Sequence, residues 1–157
     1  MGVDVQEMFK MSREQLDGLF AKSPAGEIPS GETNGTALIA PGTVCTKEIA
    51  DCLRLFAWQG KVFDPEKGIL KNRVSVFGIK AVVAKVYKGP SWHDNKECII
   101  LDYADTSLVG HWVRDEMRLV GPQLYLGKVY WAKKPLPMHF ALEVAKPPSD
   151  TPDEKKG

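Results

Sequence analysis

The sequence predicts a mainly β fold, an antiparallel eight-stranded barrel preceded by one or two short helices, and three observations carry that prediction. Residues 111–120 and 124–131 are two runs of alternating apolar and polar side chains, separated by Gly121-Pro122 and Gln123. That pattern marks two adjacent antiparallel strands. Similar runs recur along the chain, about eight in all, joined mainly by links of hairpin length. Consecutive strands so linked pair with one another, and a meander of that size closes on itself. Finally, the 157 residues are 43% hydrophobic and 26% charged, as in one ordinary globular domain large enough to bury a core.

The elements follow in order. Residues 5–22 read as a helix, in which Ser12 and Gln15 have the form of a capping box. Met11 and Leu16 flank that box as a hydrophobic staple, and Leu16, Leu19 and Phe20 form an apolar stripe. Pro24, Gly26, Pro29 and Gly31 end the helix and make a linker, so residues 1–30 are an N-terminal helix and linker. Residues 33–40 (TNGTALIA) form a first strand stopped by Pro41-Gly42. A second short helix starts at Thr46 as N-cap, with Ile49, Cys52, Leu53 and Phe56 on one face.

Strands are then expected at 58–64, 69–77, 79–88, 97–103, 111–120, 124–131 and 138–144, which places the barrel within residues 31–145. From Lys146 the sequence is rich in Pro, Asp, Lys and Glu, and residues 146–157 are expected to be a disordered tail.

Composition narrows the function. A net charge of +1 argues against a dedicated nucleic-acid binder, which would carry a basic stripe. No apolar run approaches the roughly 18 residues of a membrane span. Asp4 and Glu7 interrupt any signal-peptide pattern, which makes a cytoplasmic location the expectation. Cys45, Cys52 and Cys98 are odd in number and lack a CxxC pair, so they read as small apolar fillers. His93, His111 and His139 have no zinc-ligand spacing, and no metal is expected; haem, which needs a single axial histidine, stays open. No G-x-S-x-G elbow and no phosphate-cradling glycine loop occurs.

The chemistry-bearing residues concentrate in the strand at 111–120. Alternation puts His111, Val113, Asp115, Met117 and Leu119 on one face and Arg114, Glu116 and Arg118 on the other. If the apolar face points inward, Asp115 and His111 are polar groups in a hydrophobic interior, where a carboxylate must be paired or protonated. In the opposite register, Glu116 lies between two arginines, leaving an arginine to meet an anionic or carbonyl-bearing ligand. The plain alternative is that RDEMR is an exposed, salt-bridged strand face. Trp58, Tyr87, Tyr103, Tyr125, Tyr130 and Trp131 could line a pocket or simply fill the core. Lys61 is an amine that an apolar barrel would render nucleophilic, or else a surface lysine, and Asn72 is a further polar candidate.

The segment LFAWQGKVFDPEKG, residues 55–68, is similar to the W-x-G-K-x-F-D segment of the lipocalin-like bacterial proteins named for their GXWXG motif. ILDYADTS and LYLGKVYW resemble two later elements of that family, and the Arg-Asp-Glu strand followed by G-P-x-L-Y-L-G resembles small bacterial proteins sharing that stretch. Where the GXWXG motif should fall, this chain reads Gly31-Glu32-Thr33-Asn34-Gly35, with Thr33 in place of the tryptophan. What the resemblance implies is a lipocalin-like (calycin-type) barrel spanning roughly residues 31–144.

Two function classes follow. One is a binding barrel that needs no cofactor. It would hold a small hydrophobic or amphipathic molecule with a polar or acidic end through Arg114, Glu116, Tyr103, Tyr125, Tyr130, Trp58, Lys61 and Asn72. The other is a cofactor-independent barrel enzyme, an isomerase, cyclase or lyase, in which Asp115, Glu116 or His111 moves a proton. Ligand binding is the preferred expectation. A protein-interaction module is the third class, and a homodimer stays open.

Overall fold

The computed structural model describes residues 3–40, 42–47, 49–50, 61–73, 81–105 and 112–145. Helices α1 (Val5–Phe9) and α2 (Arg13–Ala21) precede eight strands. These are β1 (Gly31–Leu38), β2 (Lys61–Asp64), β3 (Ile69–Arg73), β4 (Ala81–Pro90), β5 (Glu97–Asp102), β6 (Val113–Gly121), β7 (Leu124–Trp131) and β8 (Lys134–Val144). Each strand pairs antiparallel with the next, and β8 returns to β1, closing the barrel. The expected antiparallel eight-stranded barrel with short N-terminal helices is therefore the observed architecture. No described helix is long and apolar enough to cross a membrane.

The single helix expected over residues 5–22 is two helices, and the capping box explains why. Ser12 is extended (φ −74°, ψ 169°), its side chain accepts from Gln15 N, and Gln15 answers on the Ser12 N–H. A residue capping a new N-terminus in this way cannot also lie inside a helix. Asp4 and Glu7 form a second capping box at the start of α1. After residue 42, Thr46 Oγ1 accepts from Ile49 N at 3.3 Å, as its N-cap role requires. The remainder of that expected helix, the strand ends at 58–60 and 74–80, and the tail from 146 lie outside the described residues.

Two apolar clusters hold the fold. Inside the barrel are Phe63, Leu70, Ala84, Val86, Ile99, Leu101, Tyr103 and Met117, with Tyr125, Met138, Phe140 and Leu142. Outside it, α1 and α2 lay Met8, Leu16, Leu19 and Phe20 on Leu38, Cys98, Ile100, Leu126 and Ala141. Burying each large side chain of that helix face contributes roughly 2 kcal/mol, far more than the intrinsic propensity of so short a helix. The linker is held on the barrel as well: Leu119 N donates to Pro24 O, and Tyr125 Oη donates to Glu27 O at 2.6 Å. Gly26 bends it at φ +77° so close to Leu119 that a Cβ would lie 2.6 Å from the Leu119 Cβ.

The last strand starts earlier than the expected 138, at Lys134, and contains Pro135 and Pro137. Proline is tolerated because Pro135 pairs only with β7, Pro137 falls in the irregular stretch of the β7–β8 ladder between Pro135 and His139, and β1 joins the register from His139 onward. The β7–β8 turn is Ala132-Lys133, both at positive φ (51° and 72°), the geometry of a tight hairpin turn.

Candidate functional site

Alternation along β6 fixes what faces where. Val113 and Met117 belong to the interior cluster, so Asp115 between them points into the barrel, while Arg114, Glu116 and Arg118 point outward. Across the interior, β2 sets Lys61 inside by the same rule, two residues before the core residue Phe63. Lys61 is 1% exposed. Its Nζ donates to Tyr103 Oη at 3.2 Å and lies 5.8 Å from the Tyr103 ring centroid and 5.7 Å from that of Phe140. Thr33 is the register partner of Lys61 on β1, and its hydroxyl donates to the Lys61 carbonyl at 2.7 Å. Lys61, Tyr103, Thr33 and Asp115 are thus polar groups in an interior whose other buried lining, among the described residues, is aliphatic and aromatic.

Asp115 Oδ1 is buried and has no hydrogen-bond partner among the described residues. Burial pushes its carboxyl up to about 7, against the pull of the Lys61 charge, with Glu116 adding a smaller push. A carboxylate lowers its energy in an apolar site by taking a proton or by meeting a donor. Asp115 is therefore poised between the two forms near neutral pH.

The outer face of β6 is polar but not exposed. Glu116 accepts from Ser91 Oγ (2.6 Å), Trp92 N (2.8 Å) and both Nε (3.1 Å) and Nη2 (2.7 Å) of Arg114. Arg118, 1% exposed, spends all five N–H donors: on Glu97 O, Phe20 O, Lys96 O and both carboxylate oxygens of Asp94. Its guanidinium also stacks 4.4 Å over the Phe20 ring. The Arg118 hydrogen bonds hold the Asp94 carboxyl down at about 2 despite some opposing burial. Farther round the wall, Asp17 of α2 accepts from Lys128 Nζ and, at 2.8 Å, from His139 Nε2. Burial alone would raise the Asp17 pKa, but those two donors hold it well below the usual carboxylate range. Burial, helped by Lys128, keeps His139 below its ordinary value against the Asp17 hydrogen bond, so the imidazole is neutral at pH 7. These contacts seat α2 and the β4–β5 turn on the barrel wall.

The residues singled out from the sequence therefore divide. Lys61 and Tyr103 meet inside the barrel, and Asp115 points into the same interior. The ring of Tyr125 also lies in the interior cluster, with its hydroxyl engaged by Glu27 O. Arg114 and Glu116 lie on the outer face, as does Tyr130, whose ring meets Trp92 edge-on at 5.2 Å. Arg114 stacks 4.0 Å over Trp92 and lines an open cleft of about 380 Å3 with Trp92, Trp112, Asp102 and Lys133. Asn72 is the register partner of Lys61 on β3. His111 and Trp58 lie outside the described residues. The two registers weighed from the sequence are resolved in favour of Asp115 inside, and the salt-bridged outer face is covered rather than solvated. Thr33 is noted in the sequence only as standing in place of a tryptophan and not as a site residue; GETNGTAL has no apolar alternation to mark its inward face.

No protein-family model matches the chain, and no curated protein matches it. Among solved structures, the crystal structure of a protein from Thermomonospora curvata is similar in fold, with a TM-score of 0.60 at 15% identity over 90% of this chain and 93% of that one. At that identity the likeness is one of fold alone.

Proposed function

We propose that the barrel is lipocalin-like and binds a small, largely apolar ligand in its interior. Its polar or acidic end lies at Lys61, Tyr103 and Asp115. The observation that carries this reading is the Asp115 carboxyl, buried with an oxygen that lacks a hydrogen-bond partner among the described residues, in the same interior as an amine and a phenol. Buried polar atoms are nearly always satisfied, and one that is not marks a place where another molecule's polar group fits. The apolar walls supply affinity without direction, and the three polar groups fix orientation. Thr33, standing where the GXWXG proteins carry tryptophan, is a small side chain paired with Lys61 across β1 and β2. An acidic end group requires Asp115 to carry its proton, because two adjacent carboxylates cannot both ionise in an apolar interior.

A second reading draws on one specific observation, the Asp115 carboxyl raised to about 7. A group titrating at the working pH is suited to moving a proton in a cofactor-independent isomerisation, cyclisation or lyase reaction, with Tyr103 or Lys61 steadying an oxyanion.

Native mass spectrometry of protein purified from its own host, followed by extraction, tests the binding reading. A stoichiometric small molecule is the expected result. Titration with straight-chain alcohols and acids of graded length follows, and Lys61→Met should weaken polar-ended ligands about tenfold or more. A barrel that arrives empty and refuses the whole series contradicts the reading.

A further inference from the structure

We infer that the open cleft on the outer wall is a second binding site, one that takes the ring of a neutral sugar against Trp92 and Trp112. The inference stands apart from the barrel interior and does not rest on the binding reading above.

Strand register builds the cleft. Asp102 at the end of β5 is the partner of Arg114 on β6, and Arg114 is the partner of Tyr130 on β7, so the three form one row on the outer face. Trp92, from the β4–β5 turn, covers that row: its ring meets Tyr130 edge-on and carries the Arg114 guanidinium at 4.0 Å. Trp112, just before β6, and Lys133, in the β7–β8 turn, complete the lining. Ala132 N ties that turn to Trp112 O at 2.9 Å. Both indoles stay open to solvent, Trp92 at 47% and Trp112 at 51%, although tryptophan is usually well buried. The cleft of about 380 Å3 has the size of a small-molecule pocket.

The polar groups decide the ligand's chemistry. Arg114 is fixed through Nε and Nη2 on Glu116 and through Nη2 on Pro90 O. Its Nη1 donates to no described residue, and neither does the Trp92 indole N–H or Lys133 Nζ. Asp102 is fixed as well, one oxygen accepting from Tyr87 Oη at 3.0 Å and the other from Ala104 N at 2.9 Å. Each of those oxygens keeps a further lone pair. A spare donor and a spare acceptor thus stand on paired residues of neighbouring strands. Adjacent sugar hydroxyls fit that arrangement, one accepting from Arg114 Nη1 while the next donates to Asp102. The apolar C–H face of the same ring then lies on an indole.

Charge removes the competitors. Arg114 and Lys133 are balanced by Asp102 and by Glu116 behind Arg114, and the neighbouring Lys85–Asp105 pair is neutral in itself. A carboxylate or phosphate on Arg114 would face Asp102, and an organic cation on the indoles would face Arg114 and Lys133. A hydrocarbon would cover the rings and strip water from the Arg114 and Asp102 groups without replacing it. A neutral polyol with one apolar face meets none of these objections.

The test is a titration of the protein, isotope-labelled at its tryptophans, with cellotetraose, laminaritetraose, maltotetraose and xylotetraose. Tetragalacturonate is the anionic control, and Trp92→Phe and Trp112→Phe assign the indole resonances. At least one neutral sugar should move the Trp92 and Trp112 resonances saturably below about 10 mM, with tetragalacturonate about tenfold weaker or worse. Trp112→Ala and Asp102→Ala should each weaken that sugar about tenfold or more. The inference is overturned if no neutral sugar saturates these shifts or if tetragalacturonate binds as tightly. It is overturned equally if both alanine variants bind the sugar as the wild type does. The wild-type shifts locate the site even if a variant does not fold.

Discussion

Replacing Arg118 with methionine should cost more stability than any other single change on the outer wall, and the structure gives the magnitude. The five guanidinium N–H groups join β6 to the end of α2 through Phe20 O, and to the β4–β5 turn and start of β5 through Asp94, Lys96 O and Glu97 O. Methionine keeps the contact with the Phe20 ring and removes all five donors. Breaking a buried ion pair by removing one partner costs about 3–5 kcal/mol. The Asp94 side chain keeps 17% of its exposure and can regain some water, which argues for the lower end, about 3 kcal/mol. Against a total of about 5–15 kcal/mol the variant still folds. In urea, followed by tryptophan fluorescence, its midpoint should fall by roughly 1–2 M with the slope unchanged. The pH dependence follows from Asp94, whose carboxyl lies at about 2 in the folded chain against 3.8 for the free group. A depressed carboxylate pKa adds stability that is fully present above the unfolded value and is lost as pH falls through the folded one. The wild type should therefore lose about 1–2 kcal/mol from this pair between roughly pH 4 and pH 2, allowing for solvent screening, and Arg118→Met should lose none of it. A loss below about 1 kcal/mol in Arg118→Met at pH 7 would refute the assignment of Arg118 as the tie between helix, turn and barrel.

Three further outcomes are expected. An infrared band of a protonated carboxyl should titrate near pH 7 and disappear in Asp115→Asn, and since a raised carboxyl pKa favours the folded state only while protonated, this group's contribution to stability falls as pH rises from 3.8 through about 7. Ala132→Asn combined with Lys133→Gly should raise stability by roughly 1 kcal/mol, read as a higher Tm, because both positions sit at positive φ (51° and 72°) without the residues that tolerate it. Gly127→Ala should cost about 1–3 kcal/mol or more, since the added Cβ would lie 2.0 Å from the Phe140 ring, and Phe140→Leu in the same chain should recover part of the loss in a urea titration.

The barrel was legible because its strands carry period-two alternation with turn residues between them, and residues 124–131 coincide with β7. The parts that were not legible have physical reasons. Pro135 and Pro137 disguise the first third of β8, because proline is acceptable there only where β1 does not yet pair, which is a fact of register and not of local sequence. The Ala132-Lys133 turn carries no glycine or asparagine to announce it. At the site, Lys61, Tyr103 and Asp115 were each visible as candidates, but their convergence was not, since β2, β6 and the residue after β5 supply them and only closure brings those together. Arg114 and Glu116 misled for the complementary reason. A charged strand face reads as lining either a cavity or solvent, and here it lies beneath a turn and a helix.

That third possibility bears on why the interior can hold polar groups at all. A strand with polar residues on both faces gains nothing from alternation alone; some other element must decide which face goes inside. On β6 the outer charges decide it, because apart from Arg114 their partners lie on the outer side of the wall: Ser91 and Trp92 for Glu116, and Asp94, Phe20 O, Lys96 O and Glu97 O for Arg118. Slipping the register by one would bury both without any of those partners, at several kcal/mol each. Asp115 is thus held inside by the cost of turning its neighbours inward, not by any preference of its own. The arrangement also separates roles: the outer network is internally neutralised and complete, and the carboxyl with an oxygen lacking a partner among the described residues is the one inside the barrel.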